Sequence, residues 1–433
     1  MKRVFALALL LPMLFVAPAS ASSLAQEQVL SSWYHLILRL VRHTATYSPP
    51  LASRNFAYLG VTSYEAVASG DDHLQSLAGQ LHGLKPLPPR QAGKAYDESV
   101  VLNAAMAAAM VDFFGNTGPS GQNALRAETA KMSHDVAQGL APDVVGRSEA
   151  YGKALAAQIF TWSKSDGGAT IVNMGFPLKY KLTPGPAHWV PTNQQGIQQV
   201  PLLPEWQKNR TFALPAAATC DLPPPPEYSE DKSSEFYKQA LEVHDVKNSA
   251  TPEQKAIARF WSDDPMLSPT PPGHWVSIVM QIAEHDHLPA AKTADALARV
   301  GVAVADAFIG CWQTKFEYDL VRPVTYIKRV IDPKWETLLI TPPFPEYASG
   351  HSVQSAAAAA VLSTLLGDHY AFDDATHVQD GIPARHFESF EAAAAEAGIS
   401  RMYGGIHYRA AIERGLQQGR CIGAYAAALK TVK

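Results

Sequence analysis

The sequence predicts an all-α protein, and three observations carry that prediction. Apolar residues recur at three-and-four spacing along most of the chain. No stretch shows sustained strand alternation, and the composition is rich in alanine and poor in charge. Charged residues make up 18% of the 433 positions, below the roughly 25% of ordinary soluble domains. With 47% hydrophobic residues the chain is too apolar to be disordered. Its formal net charge of −4 supplies no bulk basic field to attract a nucleic acid.

Taken in order, the chain begins Met1-Lys2-Arg3, runs apolar over 4–17 and closes on Ala19-Ser20-Ala21. A basic start, a short apolar stretch and an Ala-x-Ala end describe a cleavable export signal, with cleavage after Ala21. The apolar run is too short to span a bilayer, which needs about 20 residues, and no later run is longer and uninterrupted. The expectation is a periplasmic or secreted protein with no stable membrane insertion. Trp33, Leu36, Ile37, Leu40 and Val41 then mark a helical stripe. Segments 55–68, 98–114 and 148–162 repeat the pattern, and each needs a partner for its apolar face.

Over 167–226 the helical period disappears, and eleven of the 32 prolines fall there. Proline removes a backbone donor and resists helix interiors, so this segment is expected to run irregularly over the surface between two helical halves. Helix resumes over 230–243 and 251–261, then through His274, Trp275 and Ile278 after Pro271-Pro272. Pro289 opens a long helix to about Phe316, followed by 349–366, 387–397 and 406–429. The expected organisation is a signal over 1–21, an N-terminal bundle over 22–166, a Pro-rich connection over 167–228 and a C-terminal bundle over 229–433. Cys220, Cys311 and Cys421 allow at most one internal disulfide, and spacing does not pair them. A homo-oligomer is left open.

Three clusters in the last third carry chemistry. Lys315 is followed after six residues by Arg322-Pro323; Ser349-Gly350-His351 follows Phe344-Pro345-Glu346-Tyr347; Ser400-Arg401 is followed after five residues by His407. Two guanidiniums and an ammonium offer directional donors and positive charge. Ser349 and the Gly350 amide stand at the start of an expected helix, where unpaired N–H groups favour an anion. The ligand that suits this set is a phosphate-like oxyanion. The two histidines suit a bond to its central atom and proton transfer. Singly, each residue reads as a helix end, an N-cap or a structural histidine; the triple with its spacings does not.

The triple resembles the signature shared by vanadium-dependent haloperoxidases and type 2 phosphatidic acid phosphatases. The resemblance implies that Lys315, Arg322, Ser349, Gly350 and Arg401 bind the oxygens of vanadate or phosphate. It implies that His407 is the axial vanadium ligand, or the nucleophile toward phosphorus, and that His351 is the general acid–base. Trp312-Gln313-Thr314-Lys315 resembles the haloperoxidase Trp-x-x-Lys, and Phe344 stands where that family has a halide-pocket aromatic. Phe260-Trp261-Ser262-Asp263-Asp264 with Thr270-Pro271-Pro272 resembles a haloperoxidase stretch whose catalytic Asp falls on Asp264. The segment from Arg54 to Val67 looks like the first half of bacterial relatives. The resemblance thus implies a vanadate cofactor, hydrogen peroxide and a halide as substrates, and a small organic acceptor. The other branch implies a soluble acid phosphatase with a phosphohistidine at His407.

Both branches often carry an Asp one helical turn after the axial histidine; here that position is Ala411. A backbone carbonyl could take over the second imidazole nitrogen. Among the other histidines, His285 and His287 do not share a helix face. His377 and His386, near Asp373, Asp374 and Asp380, are expected in a solvated loop, with calcium as the other reading.

Overall fold

The computed structural model of the protein describes residues 24–171, 176–177, 179–192 and 200–433. The expected export signal lies outside them. Among the described residues the fold is all-α, with thirteen α-helices, a few 3-10 turns and one two-stranded antiparallel sheet. No helix there is long and apolar enough to cross a membrane.

Two helix pairs position everything else. The first joins α2 (Pro49–Ala68) to α9 (Ala290–Tyr318), one from each half of the chain. Almost every α2 side chain is buried. The backbones meet at Gly301, where a Cβ would stand 2.7 Å from the Phe56 carbonyl oxygen. The second pair joins α11 (Gly350–Leu366) to α13 (Arg409–Ala427). The alanine run on α11 and Gly415, Gly419 and Gly423 on α13 make both surfaces thin. A Cβ at Gly419 would lie 2.2 Å from the Val353 carbonyl oxygen, so only glycine allows this approach. Tight packing here sets the start of α11 against the start of α13.

One apolar core runs through both halves, from Trp33 and Tyr58 to Trp312 and Ala358. A smaller cluster of Phe236, Tyr326, Trp335, Tyr408 and Ala411 lies at the start of α13. Helix α4 (Pro119–Val136) escaped the periodicity because only Leu125, Met132 and Val136 are buried on it.

The Pro-rich connection does not simply run over the surface. Trp189, Trp206, Phe212 and Leu214 from it are buried. Asp306 on α9 accepts the backbone N–H groups of Phe212, Ala213 and Leu214 at 2.7–2.8 Å. A buried carboxylate thus replaces the backbone partners that an irregular segment lacks. Cys220, at the end of this segment, is bridged to Cys421 on α13 with a Cα–Cα distance of 6.0 Å. Cys311 is free and buried.

Candidate active site

Lys315 lies in the last turn of α9 and is fully buried. Its ammonium donates to the carbonyls of Pro345 (2.9 Å), Glu346 (3.0 Å) and Ala348. Burial pulls its pKa down to about 7. Arg322 is the N-cap of α10 (Pro323–Val330), with Pro323 opening the helix at a position that needs no N–H. Also fully buried, it donates from Nε to the Phe344 carbonyl (2.8 Å) and from Nη1 to the Ile406 carbonyl (3.1 Å). The Phe344 ring faces both cations, with its centroid 5.0 Å from Lys315 Nζ and 5.1 Å from Arg322 Cζ. Trp312 packs against Phe344 at 4.9 Å between ring centroids.

Ser349 caps α11, its hydroxyl accepting from the Ser352 N–H at 3.4 Å. Gly350 and His351 therefore occupy the first helical positions, where no intrahelical acceptor exists for the amides. Arg401 on α12 (Phe390–Tyr403) donates from Nη1 to the Trp261 carbonyl at 2.8 Å, while its buried Nε has no partner among the described residues. His351 Nε2 is likewise buried and without a partner among the described residues. Burial, then the Arg401 charge, holds His351 well below the usual imidazole range.

His407 lies in the turn between α12 and α13, which Gly405 makes by taking φ +79°. Its Nδ1 bonds Oε1 of Glu346 at 2.8 Å, and the Tyr408 N–H donates to the same oxygen at 2.8 Å. Nδ1 therefore carries the proton and Nε2 the lone pair, which accepts from Arg322 Nη1 at 3.2 Å. Burial, then Arg322, Lys315 and Arg401, keeps His407 neutral by lowering its pKa well below the usual value. Burial raises the Glu346 carboxyl to about 7, against Arg322, the Tyr408 N–H and Lys315.

These elements enclose a cavity of about 500 Å³. Asp264, Phe344, Gly350, His351, Arg401 and His407 reach its wall, and Phe176 and Ile340 line it too, both exposed. Lys315, Arg322, Ser349 and Trp312 stand behind the wall. Asp264 is pushed up by burial and drawn back by Arg401. A larger cleft of about 680 Å³ beside α1 (Gln26–His43) carries mixed charge from Glu27, His35, Arg39 and Glu284. It does not gather buried cations.

Glu346 was missed in the sequence. The clue was Ala411: with no carboxylate there, the imidazole needed some other partner, and a backbone carbonyl was the one considered. A backbone carbonyl does not substitute, since the Ala411 carbonyl accepts the Ser349 N–H at 3.0 Å and Glu346 takes the imidazole. The solvated-loop expectation also fails for part of 373–386. His386 and Asp373 are exposed, but Asp374 and His377 are buried. They pack against His274 and Asp263, which sit on other elements far away in sequence.

The donor set fits a tetrahedral oxyanion. Three buried cations, helix-start amides and the unpartnered Arg401 Nε and His351 Nε2 surround one neutral imidazole nitrogen. A helical fold around such a pocket defines an oxyanion-handling enzyme. The comparisons narrow the class. The family model for the VCPO second helical-bundle domain matches residues 295–432. The crystal structure of a bacterial vanadium-dependent iodoperoxidase matches with TM-score 0.85 and 39% identity, covering 94% of this chain and 97% of that one. The holo form of a bacterial vanadium-dependent chloroperoxidase matches with TM-score 0.67 and 16% identity, covering 94% and 93%. Its apo form gives TM-score 0.67 and 16% identity, covering 89% and 94%. At that identity the chloroperoxidase shares the fold alone. No curated protein matches. The chain belongs to the vanadium-dependent haloperoxidase family, enzymes whose prosthetic group is vanadate.

Proposed function

We propose that this chain oxidises iodide with hydrogen peroxide, and that His407, Arg401, Gly350, Ser349, Arg322 and Lys315 hold its vanadate. The observation that carries this reading is the His407 imidazole. Glu346 accepts a hydrogen bond from its Nδ1–H, and the Nε2 lone pair faces buried cations. Bound vanadate supplies the Lewis acidity that activates peroxide toward a halide. The Arg401 guanidinium and the Gly350 amide bind and orient the oxyanion; Arg322, which reaches the His407 Nε2, and Lys315, held on three carbonyls, add positive charge from behind the wall. His351 Nε2 receives a proton from incoming peroxide and returns one to the departing water. The balance is hydrogen peroxide, iodide and one proton giving hypoiodous acid and water. Asp264 orients Arg401 through its charge, and Phe344 with Trp312 forms an apolar wall for the halide. The organic acceptor meets the hypohalous acid at the cavity mouth.

Iodide is preferred here because the 39% identical relative is an iodoperoxidase. The test is peroxide-dependent triiodide formation by vanadate-stripped and vanadate-loaded protein, with bromide as comparison. Equal activity with and without vanadate, or phosphomonoester turnover that vanadate inhibits, overturns the reading in favour of the phosphatase branch.

Export completes the proposal. The 1–21 segment reads as a cleaved signal, and the Cys220–Cys421 disulfide supports an oxidising compartment, periplasmic or extracellular. N-terminal sequencing of the secreted chain should begin at Ser22; retention of Met1 rejects it.

A further inference from the structure

A second buried polar cluster lies against the oxyanion pocket. Asp263 follows α7 (Pro252–Phe260), His274 is on α8 (Thr270–His285), and His377 follows the strand Phe372–Asp374. All three are buried. The His274 Nδ1 lies 3.0 Å from Asp263 Oδ2, and His377 Nε2 lies 3.1 Å from Asp263 Oδ1. One donor atom from each residue falls within 4.8 Å of the others. Ligands of a tetrahedral ion with bonds near 2.0 Å stand about 3.3 Å apart, close to the two distances at Asp263, while the two imidazole nitrogens lie within 4.8 Å of each other.

The outer partners point the same way. His274 Nε2 bonds Asp374 Oδ2 at 2.6 Å, and His377 Nδ1 faces Asp380 Oδ2 at 3.4 Å. Each imidazole thus turns one nitrogen inward and gives the other to a carboxylate, the arrangement that orients metal-bound histidines. Asp380 is paired in turn with Arg42. The remaining carboxylates, Asp263 and Asp374, are each hydrogen-bonded to His274, so carboxylates rather than cations make the direct contacts to these imidazoles.

We propose that Asp263, His274 and His377 bind one divalent cation of the zinc(II) class, at a site that adjoins the oxyanion pocket and shares Asp263 with its wall. Two imidazoles and one carboxylate suit a borderline first-row ion. The ion ties three elements together. His274 stacks on Trp261 with ring centroids 4.5 Å apart, and the Trp261 carbonyl holds Arg401. The cation therefore braces the wall that carries Arg401 and Asp264. The competing reading is an imidazolium network in which protons take the place of the ion.

The test uses the tag-free mature chain prepared without vanadate. Elemental analysis should find about one divalent transition metal per chain. Stripping with dipicolinate should lower Tm, and added Zn²⁺ should restore it at a one-to-one end point; Co²⁺ should give visible ligand-field bands. His377→Ala should remove both the stoichiometric metal and the Tm response. If stripped wild-type protein keeps its helical circular dichroism, takes up neither Zn²⁺ nor Co²⁺ and shows no change in Tm, the proton network is right and the metal site is not. Full metal retention in both His377→Ala and His274→Gln overturns the ligand assignment. None of these readouts depends on vanadate or on peroxidase activity.

Discussion

His407 and His274 are both buried imidazoles with a carboxylate on Nδ1, yet their surroundings drive them in opposite directions. Around His407 the cations Arg322, Lys315 and Arg401 dominate, and the ring is held neutral with its pKa well below the usual range. Around His274 burial again opposes charge, but Asp263 and Asp374 overcome it and raise the metal-free pKa to about 10. The two centres almost touch, since Asp263 and Asp264 are consecutive and both line the oxyanion cavity. One gathers cations around a neutral nitrogen and suits an anion. The other gathers carboxylates around imidazoles and suits a cation. The sign of the local charge, rather than the residue type, sets what each histidine can do.

The harshest way to break the contrast is to remove the His407 imidazole. His407→Ala should reduce iodide oxidation to the level of vanadate-stripped protein while leaving the Zn²⁺ response of the neighbouring centre intact; assaying both on one preparation checks this. A subtler change keeps the imidazole and removes the charge behind it. Glu346→Gln should weaken vanadate binding by about 10–100-fold, the usual effect of losing a partner behind a ligand, as measured by vanadate titration. Asp374→Asn, which touches the cavity only through the neighbouring centre, should lower that affinity far less.

Position 411 sharpens the comparison from the other side. Ala411 is fully buried in an apolar cluster with Phe236 and Tyr408. Installing the carboxylate often found there in relatives should therefore not tighten vanadate binding, because Nδ1 already has Glu346. Ala411→Asp should instead lower unfolding stability by about 3 kcal/mol, the order expected for an unpaired buried polar group, read by urea denaturation. Unchanged stability with tighter vanadate binding would show that Glu346 is dispensable.

The smallest expected effect is on pH dependence. The folded, vanadate-free protein holds His351 far below its usual pKa of about 6.5. It thus refuses a proton that the unfolded chain accepts. Stability is full above that value and falls as pH drops below it. Urea melts at pH 7.5 and pH 5.5 should show the loss, and His351→Gln should reduce it, the remainder belonging to His407, which is held low as well. A slope unchanged by the substitution would assign the loss to other groups.

Much of the site was legible because its residues cluster in three short motifs with fixed gaps. Lys315 and Arg322 share a helix end and the cap that follows; Ser349, Gly350 and His351 are one N-terminus; Arg401 and His407 bracket one turn. Glu346 stayed hidden although it lies three residues before Ser349. Its partner is 61 residues away, and nothing local says that its side chain faces the imidazole. The Asp263–His274–His377 cluster was hidden more deeply. Each member sits on a separate element, and His377 was expected in solvent because its neighbours are polar.

By itself, the sequence determined the helical class, from periodicity, and the oxyanion chemistry, from the spacing of its cations and histidines. Only the tertiary structure decided which cations reach the cavity and which stand behind it. It also decided that Glu346 serves where Ala411 cannot, and that Cys220 pairs with Cys421 while Cys311 stays free. The physical reason is range. Helical stripes and motif gaps are local, whereas burial and electrostatic surroundings arise only when distant elements such as α2 and α9, or α11 and α13, close on one another.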